Sequence, residues 1–174
     1  MKKRIIAAAL ATFTAVTAAQ ADHHGHMSAA ETLKAELSKA GAAEFTGRDY
    51  KSGTIRHIVL FRYKDDITES ERAEIRRRFT ALATDSLRDG KPYIVSIESG
   101  FQNSGEGADG GFEEAFLVTF RSEGDRNYYV GTPIVSDPAF FDPEHQKFKE
   151  FVGPYLAEKD GVLVFDFAVA GERQ

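Results

Sequence analysis

Thr54-Ile55-Arg56-His57-Ile58-Val59-Leu60-Phe61-Arg62-Tyr63 is rich in β-branched and aromatic residues and apolar on both sides of an extended chain. Ile55, His57, Val59 and Phe61 fall on one face, Ile58 and Leu60 on the other. Such a run reads as a central strand covered on two sides. The same double pattern returns near the end of the chain, where Val162 and Val164 alternate with Leu163, Phe165 and Phe167.

Between these runs the pattern changes period. Thr68 and Glu71 form a capping box, and Ile75, Phe79 and Leu82 follow at helical spacing. Arg72, Arg76, Arg77 and Arg78 share the remaining face with Glu69, Glu71 and Glu74, which predicts a solvated surface rather than an anion site. Residues 93–99 read as a strand, a Gly-rich loop runs to Gly111, and residues 115–121 read as a strand antiparallel to the previous one. A short helix over 123–130 carries Tyr128 and Tyr129. A Pro-containing loop follows, and Asp142-Pro143 opens a last helix with Phe148, Phe151, Val152 and Tyr155 inward and Pro154 at its end. Strand, helix, strand, strand, helix, strand is the order of an α+β, ferredoxin-like sheet with helices on one face. Helices cover one side only, so the second apolar face predicts a homodimer with two sheets packed face to face.

Working towards the N-terminus, residues 42–53 read as a linker. Ser28 and Glu31 box a short helix with Leu33 and Leu37 on one face and Gly41 at its stop. Lys2-Lys3-Arg4, the apolar residues 5–18 and Ala19-Gln20-Ala21 have the pattern of a cleaved signal peptide. The expected organisation is a signal over 1–21, a His-rich leader, helix and linker over 22–53, and one domain over 54–170. A periplasmic or secreted protein follows, free of the membrane once cleaved. The chain of 174 residues carries a net charge of −5 and no Cys, which excludes disulfides, a thiolate nucleophile and a basic nucleic-acid footprint.

Gly105-Glu106-Gly107-Ala108-Asp109-Gly110 spells a dinucleotide string, but a strand follows it and acids surround it, so it reads as a hairpin loop. No hydrolase elbow, metalloprotease helix or P-loop occurs, and no cofactor is called for. Histidine is left. His57 points into an apolar interior, where a structural imidazole needs a hydrogen-bond partner. His145 lies in the first turn of a helix, whose dipole disfavours the imidazolium, so it either bonds the preceding loop or stays neutral and accepts a proton.

Residues 55–63, Phe116-Leu117-Val118-Thr119-Phe120, Asp142-Pro143-Glu144-His145-Gln146-Lys147-Phe148 and Val162-Leu163-Val164-Phe165-Asp166-Phe167, in that order, resemble the stress-responsive dimeric α/β-barrel family. The resemblance spans residues 54–168 and implies a ferredoxin-like fold dimerised into a barrel. Plant polyketide cyclases resembling the family imply catalytic roles for three positions. His145 would abstract a proton from a carbon acid, Tyr129 would orient it or hold the carbonyl, and His57 would hydrogen-bond the oxyanion. The chain departs from that pattern in the extra residues 130–141, whose Phe140 and Phe141 are placed to reshape or plug a pocket, and in Asp142, where relatives carry His.

Three functional readings result. The first is a pocket lined by His57, Phe61, Phe120, His145 and Phe148 that binds a small apolar or aromatic ligand, with His-based proton transfer as an option. In the second, cleavage after Ala21 exposes Asp22-His23-His24, an amine and a third-position His that together with His26 suit Cu(II) or Ni(II). The third is a stress-associated structural dimer without chemistry.

Overall fold

A computed structural model describes residues 27–171. In chain order the elements are α1 (Ala29–Ala40), α2 (Ala42–Phe45), β1 (Ser52–Phe61), α3 (Glu69–Asp85), β2 (Leu87–Arg88), β3 (Lys91–Pro92), β4 (Ser96–Phe101), β5 (Glu114–Ser122), α4 (Glu123–Val130), α5 (Pro143–Val152) and β6 (Val162–Ala168). The main sheet runs β4-β5-β1-β6 with every neighbouring pair antiparallel. This is the ferredoxin-like order, with β1 in the middle as its two apolar faces require. No described helix is long and apolar enough to cross a membrane.

Both capping boxes form, at Ser28/Glu31 and at Thr68/Glu71. The α3 side chains Ile75, Phe79 and Leu82 are buried as the spacing predicts. Phe79 stacks on Phe116 of β5 at 4.0 Å between centroids and meets Phe148 of α5 edge-on at 5.0 Å. One aromatic ring therefore ties sheet, α3 and α5 together.

The structure departs from the sequence reading in four places. Residues 93–99 are not one strand. Asp89 and Gly90, both at positive φ, make a two-residue turn between β2 and β3. Tyr93 and Ile94 then plug the core, and β4 starts only at Ser96. The arginines of α3 are not all solvated. Arg76 donates to the buried Glu114 at 2.5 Å, which also accepts from the Tyr63 hydroxyl at 2.8 Å. Burial of that hydroxyl, beside a carboxylate that keeps its proton in place, raises the Tyr63 pKa far above the usual range. Arg72 reaches Glu113, and only Arg77 and Arg78 pair with Glu74 at the surface. The helix α1 buries no residue completely. Last, residues 42–53 are not a linker. Phe45 is buried, and the chain through Lys51 lies against α4, so closely that a Cβ on Gly124 would sit 1.8 Å from the Gly47 carbonyl oxygen.

On the sheet face away from the helices stand Arg56, Ile58 and Leu60 of β1, with Leu163, Phe165 and Phe167 of β6 beside them. Phe165 is 59% exposed, and Leu163 and Phe167 are each 41% exposed. Neither α1 nor the 130–141 loop covers them.

Candidate functional site

The helix-facing side of β1 and β6 does not close against α5. A cavity of about 470 Å³ remains there, walled by Val59, Phe61, Phe148, Val152, Val162 and Val164, among others. Its mouth lies along β6, where Val162 and Val164 stay about half exposed. The polar groups it admits are few, and His57 and His145 are both among them.

The strand register explains the first. His57 on β1 pairs with Asp166 on β6, and both side chains point to the helix side. His57 Nδ1 lies 2.7 Å from Asp166 Oδ1. Arg126 of α4 donates to the other carboxylate oxygen at 2.5 Å. Burial works against the charge of Asp166, but the hydrogen bonds from His57 and Arg126 and the charge of Arg126 outweigh it and hold the carboxyl below its usual range. A carboxylate only accepts, so Nδ1 of His57 carries the proton and Nε2 is the free ring nitrogen.

The second follows from helix capping. Asp142 accepts from the backbone N–H groups of Glu144 and His145 and fixes the start of α5. His145 Nδ1 then reaches the Tyr129 carbonyl oxygen at 2.6 Å. A carbonyl cannot donate, so here too Nε2 has the lone pair. Burial pushes the His145 pKa down to about 3, against the pull of the Tyr129 carbonyl. Burial, rather than the dipole of the first helical turn, is what disfavours the imidazolium of His145.

Tyr129 joins the two imidazoles, though not by its hydroxyl. Its ring stacks on His145 at 3.7 Å and meets His57 edge-on at 5.6 Å. The hydroxyl is buried with no hydrogen-bond partner, and Tyr129 does not line the cavity. Phe120 also lies behind the wall, against Tyr129 and His57, whereas Phe61 and Phe148 form part of it. Phe140 and Phe141 do not plug the pocket. Phe141 packs over Gly131, and the loop contributes Thr132 and Pro133 to the rim instead. Lys149 fastens that loop by donating to the Val130 and Thr132 carbonyls and to the Thr132 hydroxyl, at 3.0, 3.3 and 3.1 Å.

Asp166, Arg126, Lys149 and Thr132 escaped the sequence reading. A signal existed for one of them: Asp166 is the single charge in an apolar closing strand and falls on the helix-facing side. Asp22, His23, His24 and His26 lie outside the described residues. Among the described residues no cluster of three or more metal-ligating side chains occurs.

No curated protein matches the sequence. Several solved structures share the fold. A protein from Arabidopsis thaliana is 20% identical, with 69% of this chain and 99% of that one aligned at a TM-score of 0.53. The hydroxynitrile lyase from Passiflora edulis is 21% identical over 71% of this chain and 99% of its own, at 0.53. A dimeric ferredoxin-like protein from Jannaschia is 20% identical over 67% and 100%, at 0.51. The family described as Stress responsive A/B Barrel Domain matches residues 55–169, which is most of the chain and includes His57, His145 and Asp166, so the protein belongs to that family.

Proposed function

We propose that the protein works as a homodimer that binds a small apolar or aromatic ligand in the β1/β6/α5 cavity and moves a proton to or from it. The observation that carries this reading is a pair of imidazoles in one apolar cavity, each with Nδ1 engaged and Nε2 free. Their environments differ, and the difference supports a division of labour opposite to the one the resemblance implies. His145, with its pKa held near 3, is a poor base but a good acceptor for a ligand hydroxyl. His57 has an ionised carboxylate behind it, which keeps the tautomer fixed and balances the positive charge when Nε2 takes a proton. An acidic C–H next to a carbonyl, presented to His57, would lose its proton there, while a hydroxyl on the same ligand donates to His145.

The dimer is supported by the apolar sheet face and by the Jannaschia neighbour, which is described as dimeric. Export is supported by the pattern of residues 1–21, and the protein isolated from its own cells should then begin at Asp22 by N-terminal sequencing.

A panel of phenols and aryl 1,3-dicarbonyl compounds tests the cavity by thermal shift. Deuterium uptake at the acidic carbon in D2O tests the proton transfer. Wild type should be stabilised by at least one compound and accelerate its exchange, and His57→Ala should lower that acceleration on the order of 100-fold. His145→Ala should weaken binding more than exchange. Binding and exchange that are indifferent to both substitutions would remove this function from the cavity.

A further inference from the structure

We propose that residues 42–51, which precede the matched family domain, are a working part of the cavity because they anchor a hydrogen-bonded relay that holds His57 in register. The inference rests on the reading of His57 as the proton acceptor. The relay is continuous. The Phe45 carbonyl oxygen accepts from Asn127 Nδ2 at 2.8 Å, and Asn127 Oδ1 accepts from Arg126 Nε at 2.9 Å. Arg126 Nη1 donates to Asp166 Oδ2 at 2.5 Å, and Asp166 Oδ1 accepts from His57 Nδ1 at 2.7 Å. Every donor meets an acceptor. A guanidinium N–H can only donate, so the Asn127 oxygen must face Arg126, which turns the Asn127 NH2 towards the Phe45 carbonyl.

The segment that supplies this carbonyl is firmly docked. The first N–H groups of α4 have no partner inside their own helix. Those of Glu123 and Gly124 donate to the Lys51 and Tyr50 carbonyls at 3.2 and 3.0 Å. Arg88 bridges the Thr46 carbonyl and Asp125. Gly124 permits the contact, because any side chain there would meet the Gly47 carbonyl. Leu33 of α1 and Phe45 lie beside Arg126, which is 8% exposed. Without these neighbours a long Arg side chain gains rotamer freedom and hydration, and Asp166 loses the partner that fixes its second oxygen. Asp166, Arg126 and Asn127 are thus positioning residues, and residues 42–51 are their fixed end.

The readout is the tautomer of His57, followed in the full chain without any ligand by long-range 1H–15N correlation at about pH 8.5, above the ordinary imidazole range. Wild type should show a single Nδ1–H tautomer. Gly124→Ala pushes residues 42–51 away without touching the relay, and Asn127→Ala cuts it. Both should convert the His57 signal to a mixture of tautomers while circular dichroism stays native. An unchanged His57 spectrum in folded variants would overturn the proposal. Should both variants fail to fold, the wild-type Arg126 Nε–H decides. Protection from solvent exchange supports the relay, and exchange at the rate of a free guanidinium overturns it. The tautomer is read on the empty protein, so this result stands apart from whether any dicarbonyl binds.

Discussion

The two faces of one sheet are both apolar, yet only one is finished by the chain itself. On the helix side, Phe61, Phe116 and Phe79 are buried, and His57, His145 and Glu114 each have a named partner. On the other side, Ile58 and Leu60 lie beside an open row of Leu163, Phe165 and Phe167. Alternation along a strand assigns residues to faces, but it does not say what covers a face. The helix side is covered by α3, α4 and α5, which the chain carries between its strands, except at the cavity mouth along β6. The open side needs another molecule, and a second copy with the same sheet is the economical cover.

Three substitutions would break or sharpen that contrast, taken from the largest effect down. Phe79→Ala removes the ring shared by sheet, α3 and α5. It should cost about 3–5 kcal/mol of unfolding free energy in urea titration while leaving self-association intact. If association falls in step with stability, the two faces are not independent. Phe165→Glu places a charge in the open row. It should weaken self-association by more than roughly 100-fold in analytical ultracentrifugation with little change in monomer unfolding. A wild type that is already monomeric at micromolar concentration would end the homodimer reading.

The smallest effect is pH-dependent and belongs to the helix side alone. His145 has a folded pKa near 3, below the ordinary value of 6.5. Between those limits the unfolded chain binds the extra proton, so this contribution is full above pH 6.5 and is lost as pH falls. From neutrality to pH 5 the loss amounts to about 2 kcal/mol. His145→Gln should flatten the acid limb of a pH-stability profile, and an acid limb of unchanged slope would show that His145 is not held neutral.

Much of this architecture was legible in the residues. The period-two runs at 54–63 and 162–169, the two capping boxes and the Asp142-Pro143 helix start are local signals, written within one turn or one strand. His57 and His145 were also legible as residues out of place. The relay was not. Arg126 and Asn127 look like ordinary polar residues of a short helix, and their meaning depends on Phe45, more than 80 positions away in the chain. The 42–53 segment misled for the same reason. Its composition is that of a linker, and its docking against α4 involves a close approach of two glycines, Gly47 and Gly124, which no local pattern announces.

The sequence by itself determined the order of the main-sheet strands and the helices between them, the two-sided character of β1 and β6 and the choice of histidines, because periodicity and capping act over a few residues. Only the tertiary structure decided that α5 stands off β6 to leave a cavity, that Tyr129 supports His145 by its carbonyl and ring rather than its hydroxyl, and that Asp166 and Arg126 stand behind His57. Those outcomes depend on register between strands and on distances between segments far apart in the chain, which are set by packing the whole rather than by any one stretch.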